Sequence, residues 1–117
     1  MANSLSTFVG NTPLVKLNSN NPKVHIYAKL EGNNPGGSVK DRAAFNMINE
    51  AIKKKNIKKG DTLVEATSGN TGIALAMIAQ VLGIEIELVL PENSTKERTQ
   101  TMRAYGAKVT LTPLQTV

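Results

Sequence analysis

Residues 71–82 limit the folds open to this chain more than any other stretch. Ile73, Ala74, Leu75, Ala76, Met77, Ile78, Ala79, Val81 and Leu82 make them apolar on nearly every side. A helix with that pattern is stable only when buried, so its neighbours in sequence must cover it. Gly83 stands where it can cap the helix. A strand is expected before it at residues 62–66 and another after it at residues 84–90, the second stopped by Pro91. Ser94-Thr-Lys-Glu97 has the form of a capping box and opens a further helix that ends at Gly106. Residues 107–112 read as another strand, stopped by Pro113. Strand, helix and strand alternate from Val39 onward, which implies parallel strands joined by right-handed crossovers. The expected fold class is α/β: a three-layer parallel-sheet unit with Ile78 and Val81 in its core.

The elements before that unit are shorter. A helix follows Lys40, with Ala44, Met47, Ile48, Ala51 and Ile52 on one face and Met47 read as core filler. Residues 14–17 read as a short strand. Val24, Ile26, Ala28 and Leu30 alternate with His25, Tyr27 and Lys29, the period of a strand with one buried face. These two strands are expected to form an antiparallel pair ahead of the α/β unit. His25 falls on the polar face and reads as a solvated side chain. Residues 1–9 read as a loosely held arm, and Asn11-Thr-Pro13 as a turn.

Composition removes several functions. The chain has 117 residues, enough for one domain with a real core. It has no cysteine and a single histidine, so neither a thiolate nor a His-rich metal site is available. No apolar run reaches membrane length, and the N-terminus lacks the charged and apolar regions of a signal peptide, so a cytoplasmic location is expected. The formal net charge is +5. Much of that excess lies in Lys53-Lys-Lys-Asn-Ile-Lys-Lys59, at a helix end where lysines favour the negative pole of the dipole. Aromatic residues are only 3%, too few for a base-stacking platform. Neither nucleic acid nor membrane is an expected partner.

Two loops carry the chemistry. In Asn33-Asn-Pro-Gly-Gly-Ser-Val-Lys-Asp-Arg42, two glycines allow a close approach to the backbone. Ser38 and Asp41 have Ser-x-x-Asp spacing, which puts Lys40 in the first turn of a helix. The positive end of the helix dipole is unfavourable for a cation. That field, with partial burial, is expected to lower the pKa of Lys40, as an amine that attacks a carbonyl requires. One more solvated lysine has the same spacing. The second loop, Thr67-Ser-Gly-Asn-Thr-Gly72, follows a strand and opens the apolar helix. Its N–H groups and the hydroxyls of Thr67, Ser68 and Thr71 suit an anion beyond the carboxyl end of a parallel sheet. Simple helix capping by a hydroxyl would use the same residues.

Three stretches, in order, resemble one family. Gly10-Asn-Thr-Pro-Leu-Val-Lys-Leu17, Lys29-Leu-Glu-Gly-Asn-Asn-Pro-Gly-Gly-Ser-Val-Lys-Asp-Arg42 and Glu65-Ala-Thr-Ser-Gly-Asn-Thr-Gly-Ile-Ala-Leu-Ala76 are similar to the N-terminal part of the cysteine synthases (O-acetylserine sulfhydrylases). These are fold-type II enzymes that use pyridoxal 5'-phosphate (PLP). Glu31-Gly-Asn-Asn-Pro35 and Met102-Arg-Ala-Tyr-Gly-Ala107 resemble the B isozyme. The resemblance implies that Lys40 forms the internal aldimine with PLP and acts as general base. It implies that Asn70 bonds the cofactor's 3-hydroxyl oxygen, and that Thr67, Ser68, Gly69, Asn70 and Thr71 hold the substrate carboxylate. The implied reaction is a β-replacement. Acetate leaves O-acetylserine through an α-aminoacrylate, and sulfide or thiosulfate adds. Small molecules are the implied partners, with a homodimer at family length.

The resemblance also implies a division of the chain. Residues 1–34, the arm and strand pair, belong in the family to the large domain. Residues 35–117 form the small α/β domain that carries the lysine. The family's later loop for the PLP phosphate is absent, as is the serine that meets the pyridine nitrogen. Leu114-Gln-Thr-Val117 departs from the family's continuation. A truncated chain with weak PLP binding is therefore expected. Two other readings stand beside this one: another fold-type II enzyme, such as a serine or threonine dehydratase or cystathionine β-synthase, and an inactive fragment serving as an interaction module.

Overall fold

The computed structural model describes residues 4–114. The expected chain-end departure at residues 115–117, and the first three residues of the N-terminal arm, lie outside that range. The described residues form two sheets. Strands β1 (Leu14–Leu17) and β2 (Ile26–Lys29) pair antiparallel, with Leu14 opposite Lys29 and Leu17 opposite Ile26. Strands β3 (Thr62–Ala66), β4 (Glu85–Pro91) and β5 (Lys108–Thr112) form a parallel sheet in that spatial order. Helices α1 (Lys40–Lys53), α2 (Asn70–Leu82) and α3 (Lys96–Ala104) complete the α/β unit. The α/β class, the parallel sheet and the antiparallel pair before it are as the sequence leads one to expect.

Helix α2 is the centre of the core. Ala74, Leu75, Ala76, Met77, Ile78 and Ala79 are buried, as the all-round apolar pattern requires. Burying a side chain such as Ile78 or Met77 stabilises the fold by about 1.5–3 kcal/mol each. Gly83 ends the helix at φ 68° and ψ 33°, the left-handed conformation that closes a helix without a Cβ penalty. Val81, expected in the core, is half-buried instead. It lies in the last turn of α2. The period-2 pattern of β4 is obeyed: Ile86, Leu88 and Leu90 are buried.

The register places Leu63, Ile86, Leu88, Val109 and Leu111 on the face of the sheet that meets the helices. The other face carries Thr62, Val64, Glu85, Glu87, Val89, Lys108 and Thr110. Polar pairs cross it: Thr62 donates to Glu85 at 3.2 Å, and Lys108 and Thr110 donate to Glu87 at 2.9 and 2.6 Å. Val64 on this face is 66% exposed. Among the described residues no helix covers it, so the second helical layer of a three-layer unit is not supplied by residues 4–114.

Four local expectations are corrected. The β1–β2 pair has no buried face; Val24, Ile26 and Leu30 are exposed, and neither strand packs extensively on another element. The radius of gyration, 17.1 Å, reflects this outlying pair, since a compact chain of this length has about 13 Å. Met47 is 49% exposed because it lies on the flank of α1, whose buried apolar residues are Ala44 and Ile48. The arm is not loose up to residue 9: Leu5–Phe8 form a short 3-10 turn and Val9 packs on the core. Neither expected capping box forms. The N-cap of α1 is Val39, not Ser38, and that of α3 is Thr95, not Ser94. In α3 the box is one residue out of register; in α1 the Ser38 hydroxyl accepts from the Lys40 N–H, but Asp41 closes on Gly36 instead of returning to Ser38.

Candidate active site

Helix α1 starts where it does because of a clasp. Pro35 and Gly36 form a turn closed by the Gly37 N–H donating to the Asn34 carbonyl at 2.8 Å. Gly37 then takes φ +88°, a conformation that favours glycine. Ser38 accepts from the Lys40 N–H at 3.2 Å. Asp41 is fully buried and reaches back past Ser38, its Oδ2 accepting from the Gly36 N–H at 2.5 Å. A Cβ on Gly36 would lie 2.5 Å from Asp41 Oδ1, so only glycine fits. The close approach allowed by Gly36 is thus made by the chain's own carboxylate. Open space remains at Gly37. Burial pushes the Asp41 carboxyl above the usual range, and the Gly36 N–H pulls the other way.

Lys40, the first residue of α1, is exposed. The partial burial expected for it is not provided by residues 4–114. Its position at the positive end of the helix dipole is as expected.

The second loop is shorter than its sequence suggests. The Thr67 N–H still donates to Val89 at 3.0 Å, extending the β3–β4 ladder. Gly69 is the N-cap of α2 and Asn70 its first residue. The Gly69 carbonyl accepts from the Gly72 and Ile73 N–H groups at 3.1 and 3.4 Å. Gly69 has no side chain to cap with, and no hydroxyl of Thr67, Ser68 or Thr71 bonds an N–H of the helix among the described residues. Hydroxyl capping is therefore not what this loop does. The first-turn N–H groups of Asn70 and Thr71 have no intrahelical acceptor and point out of the helix end. Thr67, Gly69 and Thr71 are half-buried; Ser68 and Asn70 are exposed. Gly72 is buried, and a Cβ there would lie 2.7 Å from Thr67 Cγ2 and 2.8 Å from Met102 Cε.

The topology brings the two loops to one end of the unit. Helix α1 leads into β3 through residues 54–61 and α2 leads out of it, so both run against β3. The two helices pack on each other. Lys40 and Asn70 therefore both begin helices at the carboxyl end of the sheet, where open α/β sheets bind ligands. Thr67 and Ser68 line a shallow groove there with Ala66, Pro91 and Thr112; Lys40, Asn70 and Thr71 do not line it. An exposed amine and a hydroxyl-rich helix N-terminus fit a group that offers an aldehyde to the one and an anion to the other.

A polar junction behind Lys40 was not foreseen. Arg42 makes a two-pronged pair with Glu31, Nε to Oε2 at 2.9 Å and Nη2 to Oε1 at 3.0 Å. Thr12 donates to Glu31 at 2.7 Å, and Arg42 donates to Thr12 at 3.2 Å. Asn34 donates to Glu31 Oε2 at 2.9 Å and accepts from the Gly10 N–H at 2.8 Å. These donors, Arg42 first, hold the Glu31 carboxyl down at about 2. The only sequence signal for this cluster was that its members fall within the quoted motifs. No group of His, Cys, Asp and Glu among the described residues could hold a metal ion, and no helix there is long and apolar enough to cross a membrane.

A parallel α/β unit with a lysine at one helix start and an anion-ready loop at the next matches a known class. Residues 5–116 match the family of pyridoxal-phosphate dependent enzymes, and the chain belongs to that family. It is 59% identical over 111 residues to cysteine synthase B of Salmonella typhimurium, covering 93% of this chain and 37% of that protein. Cysteine synthase B of Escherichia coli is 57% identical over 110 residues, covering 92% of this chain and 36% of that protein. The crystal structure of a hydrogen sulfide-producing enzyme from Fusobacterium nucleatum superposes with a TM-score of 0.90 at 52% identity, covering 97% of this chain and 38% of that one. The chain thus spans little more than a third of the length of these relatives.

Proposed function

We propose that this chain is the lysine-bearing part of an enzyme of cysteine biosynthesis that replaces the acetate of O-acetylserine by sulfide or thiosulfate. What supports the reading is that Lys40 and the Thr67–Thr71 loop each open a helix that runs back against β3, in a chain of this family. PLP, when bound, supplies an electron sink for negative charge at the substrate's α-carbon. Lys40 would hold the cofactor through Nζ, and the same Nζ would take the substrate's α-proton. The Asn70 amide would bond the cofactor's ring hydroxyl oxygen. The loop N–H groups and the hydroxyls of Thr67, Ser68 and Thr71 hold the substrate carboxylate, which fixes the α-proton toward Lys40. Residues 35–117 act as the lysine-bearing domain, and residues 1–34 with β1–β2 join a larger domain that supplies the phosphate contacts. The working protein is a cytoplasmic homodimer in this reading.

Absorbance after addition of PLP tests it. A protein of family length is expected to bind PLP with a visible band that Lys40→Ala abolishes, and to form cysteine from O-acetylserine and sulfide. The chain of 117 residues is expected to bind PLP weakly, since each absent charge-assisted phosphate contact removes about 1.5–3 kcal/mol. A band that survives Lys40→Ala overturns the assignment of the lysine. Turnover only with a thiol such as homocysteine overturns the sulfide reading.

A further inference from the structure

The chemistry proposed for Lys40 leaves the Gly10-Asn-Thr-Pro13 motif without a task. The structure shows where that motif goes. It closes over Arg42, two residues beyond Lys40. Gly10 lies so close to the guanidinium that a Cβ would fall 2.9 Å from Nη1, and it takes φ +86°. Thr12 and Asn34, 6% and 3% exposed, complete the set of donors around Glu31. Three segments that do not adjoin in sequence, residues 10–13, 31–34 and 40–42, are thereby joined through one carboxylate.

Successive side chains on a helix point about 100° apart around its axis. Lys40, Asp41 and Arg42 therefore leave α1 in three directions. Asp41 is pinned inward on Gly36. Arg42 is pinned on Glu31 and Thr12. With two of the three directions fixed, the rotation of the first turn is fixed, and the third direction belongs to Lys40. Both members of the ion pair are partly exposed, 41% for Arg42 and 22% for Glu31. Pairs of that kind add little net stability. A bidentate fork does impose geometry, and a lysine cannot reproduce it.

We infer, resting on the reading of Lys40 as the cofactor lysine, that Arg42 and Glu31 are positioning residues: their fork, seated in the Gly10–Thr12 motif, sets the direction in which α1 presents the Lys40 amine. The Gly10–Pro13 motif is then the seat of a guanidinium, and it acts on the chemistry only through α1.

The test uses a protein of family length that carries these residues, with PLP as probe. The protein is mixed with PLP, trapped with borohydride and digested, and the label at Lys40 is measured by mass against the label at the other lysines. Hydrogen exchange of α2 is followed in the same samples to report folding. Wild type is expected to label predominantly at Lys40. Arg42→Ala and Arg42→Lys are each expected to lower the Lys40 share tenfold or more while α2 keeps its protection. Glu31→Gln, the mildest change, is expected to lower it severalfold, with no further loss when combined with Arg42→Ala. An unchanged Lys40 share in Arg42→Lys and Glu31→Gln overturns the inference and leaves the functional reading intact. A fall in Lys40 share that tracks loss of α2 protection in every variant also overturns it, because the pair would then be a fold contact only. A wild type that labels Lys40 no more than the other lysines overturns the functional reading, and the inference with it.

Discussion

The antiparallel pair β1–β2 and the parallel sheet β3–β4–β5 use strands of similar length with similar alternation, yet only one of them makes a core. In β4, Ile86, Leu88 and Leu90 are buried because α2 lies across them. In β2, Ile26 and Ala28 with the flanking Val24 and Leu30 repeat the same alternation, and no helix follows to lie on it. Alternation decides which side chains share a face. Whether that face is dry depends on what the connection between strands contains. A crossover helix brings its own apolar surface to the sheet it returns to; the short connection from Leu17 to Ile26 brings none.

That contrast can be broken most sharply at Leu88, which is fully buried. Leu88→Ala is expected to destabilise the α/β unit by about 2–5 kcal/mol, read as a lower urea midpoint at unchanged slope. A loss below about 1 kcal/mol would mean that the sheet and α2 are not one core. Next comes Gly72. An alanine inside a helix usually stabilises by up to about 1 kcal/mol over glycine. Here its Cβ would strike Thr67 and Met102, and a net loss of about 1–3 kcal/mol is expected instead. A raised melting temperature for Gly72→Ala would contradict the packing described for that loop.

A third experiment separates the regions by acid. The folded Glu31 carboxyl is held at about 2, below its ordinary value of 4.5. Its contribution is therefore complete above pH 4.5 and is lost as pH falls through 2. Exchange of the Gly10 amide should speed up across that window while α2 amides do not, and Glu31→Gln should flatten the response. Asp41 works in the opposite sense: burial raises its folded pKa, so its contribution is present below the ordinary 3.8 and lost as pH rises through the raised value. Asp41→Asn in the background isolates Glu31. The smallest effect is expected at the exposed pair. Leu17→Ala should change the stability of the α/β unit by no more than about 0.5 kcal/mol. A change as large as that of Leu88→Ala would show that β1–β2 is part of the core after all.

Reading the sequence worked where cause and effect are close together in the chain. The burial of Met77 and Ile78, the left-handed Gly83 and the alternation of β4 all follow from the residues next to them. The box at α3 failed by one residue, because Thr95 rather than Ser94 marks the helix start; the one at α1 formed only its serine half, because buried Asp41 is taken by the Gly36 N–H. Lys40 and the Thr67–Thr71 loop were legible as residue types at helix starts, but the exposure of Lys40 was not. Glu31 and Arg42 escaped entirely. Nothing between an acid and a base eleven residues apart says that a threonine from residue 12 will complete the set.

The two sheets also differ in when they can exist. The strand pair is complete once Lys29 has been made, whereas the parallel sheet needs Thr112. A ribosome adding about 5–20 residues per second takes on the order of ten seconds to travel between them. For that interval a two-stranded ribbon, marginal on its own, offers unpaired edges and bare apolar side chains to every other nascent chain. Charge along an edge strand discourages such pairing, and Lys16, Lys23 and Lys29 lie on or beside these strands. The part of the molecule with the least to hold it together is thus the part that must wait longest, and it waits under the protection of three lysines.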